Sequence, residues 1–224
     1  MDRRSTTQAS IAGLSTLETN KVLRSTFQLL SATLIFSAMT ATISMFMNTG
    51  SGTYLICLLA SMGLGIFVLP RTANSGAGIG VIFLITGLLG FGLGPILSTY
   101  LQVLSNGSQV VATALGGTGA IFLGLSFYAR TSKRDFTFLG GFVFIGMMVV
   151  LLAMIANIFM QIPLLSLGLS AGIIMLMSAM ILMQISSIVR GGETNYIMAT
   201  YSLYLSIFNI FISLLHILGV ASDD

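Results

Sequence analysis

Residues 196–218 read YIMATYSLYLSIFNIFISLLHIL, a run without one charged side chain. As an α-helix rising 1.5 Å per residue it would extend about 35 Å, enough to cross the ~30 Å hydrocarbon core of a bilayer. Arg190 and Glu193 stand just before it, and Asp223 and Asp224 just after. Its polar members Ser202, Ser206, Asn209, Ser213 and His216 follow one another at steps of four, three, four and three, which puts them on one face of a helix. Polar groups are expensive against lipid, so that face is expected to look into the protein.

The same pattern of a long uncharged run closed by charge or turn residues recurs along the chain. Six further spans are expected at about residues 25–47, 53–69, 79–100, 110–129, 136–159 and 164–189, making seven in 224 residues. Turn-forming clusters separate them, among them Asn48 to Gly52, Pro70-Arg71, Ser105 to Ser108, Gln161 to Pro163 and Arg190 to Glu193. Mean hydropathy is +1.01, and only 7% of residues are charged. A water-soluble domain of this composition would expose large apolar patches. The fold class is therefore all-α and membrane-embedded. Residues 1–21 form a polar tail, expected to be mostly disordered, and residues 22–224 a single seven-helix domain.

Charge gives the topology. All nine Lys and Arg residues lie at span ends that fall on one side if the spans alternate, and the three loops on the other side carry no charge. The positive-inside rule then puts the N-terminus in the cytoplasm and the C-terminus in the periplasm. A net charge of +3 scattered over membrane-flanking loops is no nucleic-acid surface. One Cys, Cys57, excludes an internal disulfide. One His and one Cys with no carboxylate inside a span leave no metal site, and no cofactor is expected.

No Asp, Glu, Lys or Arg lies inside any span, which disfavours proton-coupled transport. The polar face of the seventh span has two readings: hydrogen bonds that hold helices together, or, with Gln184 and Asn157, the lining of a polar cavity or ion path. Pro95 in the third span removes a helix hydrogen bond and is a candidate hinge. Small residues at four-residue spacing, in Gly76/Gly80, Gly90/Gly94, Gly116/Ala120/Gly124 and Gly168/Gly172, predict close helix packing. Ser126 and His216 have the residue types of an intramembrane serine protease, but their spans run in opposite directions. That separates them by on the order of 20 Å of membrane depth, too far for a dyad. Asn106-Gly107-Ser108 is a formal glycosylation sequon.

The run Gly191-Gly192-Glu193-Thr194-Asn195-Tyr196-Ile197, then Ala199-Thr200, Ser202-Leu203-Tyr204 and Asn209-Ile210-Phe211, resembles the Bax inhibitor-1 (TMBIM) family, in its bacterial YccA-like branch. Leu93 to Leu97, Phe138 to Gly141 and Ala156 to Phe159 extend the resemblance over nearly the whole chain. The resemblance implies a seven-helix bundle whose central seventh helix is surrounded by the other six. It also implies an inner-membrane location and, for this branch, a partner: the membrane-anchored ATP-dependent protease FtsH, which such proteins restrain.

Other family members are pH-sensitive calcium leaks gated by two acidic residues on the sixth and seventh helices. The matching positions here are Gln184 and Ser206, which cannot titrate and are expected to hold a pH-independent hydrogen bond. The leading expectation is thus a non-enzymatic regulator of FtsH, with a cation leak through the bundle as the alternative. The tail Met1 to Asn20 is either the segment the protease grips or a terminus without a role. The sequence assigns no oligomeric state.

Overall fold

The computed structural model describes the backbone of residues 3–47, 49–50, 52–132 and 134–223, and side chains from residue 18 to residue 222 within those ranges. The seven helices are α1 (Arg3–Phe46), α2 (Gly52–Thr72), α3 (Ala77–Val103), α4 (Gly107–Thr131), α5 (Leu139–Met160), α6 (Pro163–Val189) and α7 (Tyr196–Asp223). Each contains a stretch long and apolar enough to cross a membrane. No strand occurs among the described residues, as the bilayer demands of a chain that is not a closed barrel.

The helix ends follow local chemistry. Asn195 caps α7, its side-chain oxygen accepting the backbone N–H groups of Ile197 at 2.9 Å and Met198 at 3.1 Å. After α6 the chain turns at Gly191, whose φ of +75° suits glycine. Between α5 and α6, Gln161 takes the left-handed conformation at φ 50°, and Pro163 opens α6 at a position where its missing N–H matters little. Inside α2, residues Leu64–Val68 form a π-helical turn just before Pro70, a widening that absorbs the proline's missing donor. Tyr201 of α7 lies over Gly65 of that turn so closely that a Cβ there would collide with its phenol.

Packing is uneven around the bundle. In the most apolar stretch of α7, 56% of residues are buried, against 6% in α5. Helices α1, α3, α4 and α6 pack along α7, whereas α2 packs chiefly on α3 and α5 on α6. The seventh helix is therefore central, with four helices packed along it rather than six and α2 reaching it where Tyr201 meets Gly65. Leu203, Tyr204, Ile210 and Leu215 of α7 meet Ile82 and Ile85 of α3 and Ile181 and Ile185 of α6 in one core, all nearly or fully buried. Outward-facing residues such as Phe127, Phe144, Ile145 and Phe159 are well exposed and belong against lipid.

Two expectations need correction here. The polar N-terminal segment is helical from Arg3 onward and continuous with the first span. Its sequence has no proline to stop a helix, and extending a helix already nucleated by the membrane segment adds one hydrogen bond per residue fixed. The small-residue pattern also points to fewer interfaces than expected. Gly90 and Gly94 do sit in a tight seam, but Gly76, Gly80, Gly116, Gly124 and Gly168 have nothing within 4 Å of an added Cβ, and Gly172 only Val150 at 3.9 Å.

Candidate functional site: the polar groups around the seventh helix

Helix α1 carries hydroxyls at Thr26, Thr33, Ser37, Thr40 and Ser44, at steps of seven, four, three and four, hence on one face. Thr26, Thr33, Ser37 and Ser44 are buried. Facing them on α3 are Gly87, Gly90 and Gly94, where an added Cβ would strike Phe36, the Ser37 carbonyl oxygen and the Ser44 side chain respectively. Small faces on both helices let their backbones approach, the device membrane bundles use in place of a hydrophobic driving force.

At the centre stands Tyr204 of α7, 1% exposed. Its hydroxyl shares a 2.6 Å hydrogen bond with the Ser37 hydroxyl and donates to the Thr86 carbonyl at 3.3 Å, joining α7, α1 and α3. One turn before it, the Thr200 hydroxyl donates to Tyr196 O at 2.7 Å and reaches Thr26 O of α1 at 3.3 Å. A buried phenol must find a partner; the sequence reading passed over this node, and the mid-span position of Tyr204 is the signal that would have found it. The recurrence of hydroxyls along α1 is the matching signal on the partner helix.

The polar face expected from the sequence lies roughly opposite Tyr204 on α7. It is mostly turned back on its own helix. Ser206, 1% exposed, donates to Ser202 O at 2.9 Å, and Asn209 to Leu205 O at 2.8 Å. His216 Nδ1 pairs with Ser170 Oγ of α6 at 2.8 Å, a direct link between the two helices. Ser213 is buried. Among the described residues Gln184 and Ser206 share no hydrogen bond, and the Ser206 hydroxyl donates to its own helix instead. That corrects the expected bond between them.

Asn157 is not part of this face. Its side-chain oxygen accepts the Ile162 N–H at 3.0 Å and its carbonyl the Gln161 N–H at 2.8 Å, so it closes the C-terminus of α5. Pro95 is buried within α3, and the helix runs on through it to Val103, with Thr99 donating to the Pro95 carbonyl at 2.9 Å. Ser126 and His216 do not meet: the Ser126 hydroxyl is buried without a partner, and His216 is bonded to Ser170. No cluster of three or more His, Cys, Asp or Glu occurs among the described residues. Asn106 of the sequon stands before α4 and donates to Ser222 at 3.3 Å.

The charged end of the bundle is knit by loops. Asn195, besides capping α7, donates to Ala73 O at 3.1 Å and to Asn74 Oδ1 at 2.8 Å, tying α7 to the turn between α2 and α3. Asp135 lies 3.7 Å from Arg190. Hydrogen bonds from the Thr137 backbone and hydroxyl, then the Arg190 charge, hold its carboxyl below the usual range.

A family described as "Inhibitor of apoptosis-promoting Bax1" matches residues 19–223 of this chain. The chain is 50% identical over 210 residues to the "Modulator of FtsH protease YccA" of Escherichia coli K12, covering 94% of each protein. It is equally similar to the "Inner membrane protein YccA" of Escherichia coli O6:H1. An uncharacterised membrane protein of Vibrio cholerae is 46% identical over 93% of each chain.

Proposed function

Because this chain belongs to the Bax inhibitor-1 family, we propose that it is an integral regulator of the membrane-anchored protease FtsH, acting in a bacterial inner membrane. The family makes it a regulatory membrane protein and not an enzyme. The observation that carries the proposal is the 50% identity, over 94% of both chains, to a protein named for modulating FtsH. Likeness of that extent carries a shared fold across the matched residues.

The structure suggests how restraint operates. The 44 residues of α1 extend about 66 Å, roughly twice the hydrocarbon thickness, so its N-terminal part projects from the membrane as a continuation of the first span. A protease pulling on that end must unwind a helix whose later turns are locked to α3 and α7. The bundle then resists extraction and holds the protease as a slow competitor. The leak alternative receives no comparable support, since neither Gln184 nor Ser206 carries a proton to exchange.

Affinity purification from native membranes after mild cross-linking is the test. FtsH should be recovered with the protein, and raising the protein's level should lengthen the lifetime of a membrane substrate of FtsH. Absence of FtsH together with unchanged substrate turnover would overturn the proposal. Calcium flux in reconstituted vesicles should show no step with pH near neutrality.

A further inference from the structure

Helices α1 and α4 both pack on α7, but not along each other. The seam left between them is floored in mid-membrane by Tyr204, Phe208 and Phe211 of α7, in a cavity of about 430 Å³. Its walls are almost wholly apolar, with Leu34 and Ala38 on α1 facing Leu115 and Phe122 on α4. On the same seam, toward the charged end of the bundle, an open cleft is lined by Asn20, Arg24, Phe27 and Gln28 of α1 and by Arg130 of α4. Phe27 of the cleft and Phe122 of the cavity touch, ring centroids 5.9 Å apart, so the two hollows adjoin.

We propose that this seam is a binding site for one phospholipid of net negative charge, its headgroup phosphate on Arg24 and Arg130 and an acyl chain in the cavity over Tyr204. Three observations point to this occupant. The cleft holds two guanidinium groups and no acidic residue, so it is electrostatically unfinished, and guanidinium is suited to clasping phosphate oxygens. The two arginines lie at the membrane-water boundary, α1 entering its apolar run just after Arg24 and α4 ending at Thr131 just after Arg130. The cavity also holds only about one turn of helix, on the order of 400 Å³ at ~10 Å diameter, well short of a helix that crosses the membrane. A flexible hydrocarbon chain fits where a partner's transmembrane helix does not. The inference does not rest on the protease reading and fails or stands separately from it.

The test is native mass spectrometry of the full-length, delipidated protein titrated with phosphatidylglycerol, with phosphatidylethanolamine, and with inorganic phosphate. One equivalent of phosphatidylglycerol should bind well ahead of the zwitterionic lipid, and phosphate alone should not compete. Arg24→Ala with Arg130→Ala should weaken phosphatidylglycerol binding about 30-fold, the effect of removing two basic side chains from an anionic surface. Gly119→Leu should weaken both lipids. Gly119 lines the cavity, and its added Cβ meets nothing within 4 Å, so a side chain there can start into the cavity without a clash at its root. If that variant does not fold, the arginine pair alone decides, because both arginines are exposed. Equal binding of the two lipids, unchanged binding in the arginine variant, or competition by free phosphate would each overturn the assignment. A dimer or a co-purifying protein that Gly119→Leu removes would do so too, by giving the seam to a helix.

Discussion

A methyl group added at Gly90 would be driven into the Ser37 carbonyl oxygen, whereas one added at Gly116 would meet nothing within 4 Å. Backbone cannot yield as a flexible side chain can, so Gly90→Ala should destabilise the protein by about 1–3 kcal/mol, the range for overpacking a tight interface. Gly116→Ala should be neutral or slightly stabilising, alanine being the better helix former by about 1 kcal/mol. Thermal unfolding in one detergent compares the two directly. Equal effects would mean that the α1–α3 seam is looser than described. The sequence offered both glycines as interface residues with the same warrant. Spacing reveals that a face is small, but with lipid as apolar as leucine nothing in the pattern says whether a helix or an acyl chain lies against it. For the same reason the stripe from Ser202 to His216 was legible as a face, while its use was not. A hydroxyl bonded back to its own helix, as in Ser206, leaves the same sequence signature as one reaching across to a neighbour.

At the scale of elements, the best-determined boundary is the start of α7. Asn195→Ala removes two capping hydrogen bonds and both bonds to the α2–α3 turn. It should cost at least ~1 kcal/mol, the usual value of a cap. The loss should appear as a lower melting temperature and faster amide exchange in the first turn of α7, with the far end of that helix unaffected. The projecting end of α1 makes a separate prediction. Deleting residues 2–20 should leave the melting transition in place and lengthen the protein's lifetime in cells that contain FtsH. An unchanged half-life would remove the projecting segment from the mechanism and move attention to the bundle surface. Span positions were legible to within a few residues because bilayer thickness and the need to satisfy every backbone group leave little choice. The polar beginning of α1 was not, because a helix propagating out of a membrane span needs no amphipathic pattern of its own.

For the whole molecule, the alternation of seven helices gathers Arg24, Arg71, Arg130, Arg134 and Arg190 at one end, and the positive-inside rule predicts that this end faces the cytoplasm. Single cysteines at Ser5, Ser108 and Ser222 test this, with the native thiol of Cys57 buried and shielded from reagent. Ser5 should react from the cytoplasmic side, Ser108 and Ser222 from the other. Labelling of Ser5 and Ser222 from the same side would contradict an odd number of crossings. Which helices neighbour which was beyond the sequence, and the packing of four helices along α7 is what the structure adds.

That packing also sets an order in time. Helices α1 and α3 can zip together as soon as both have left the ribosome, but α4 and α6 go without their contacts along α7 until it is made, since α7 is the last of the seven in chain order. At ~5–20 residues per second, α1 waits on the order of ten to thirty-five seconds for its partner Tyr204. Until then the Ser37 hydroxyl lacks its phenol partner, and a nascent chain cut short anywhere before α7 carries the unfinished seam of an unassembled bundle.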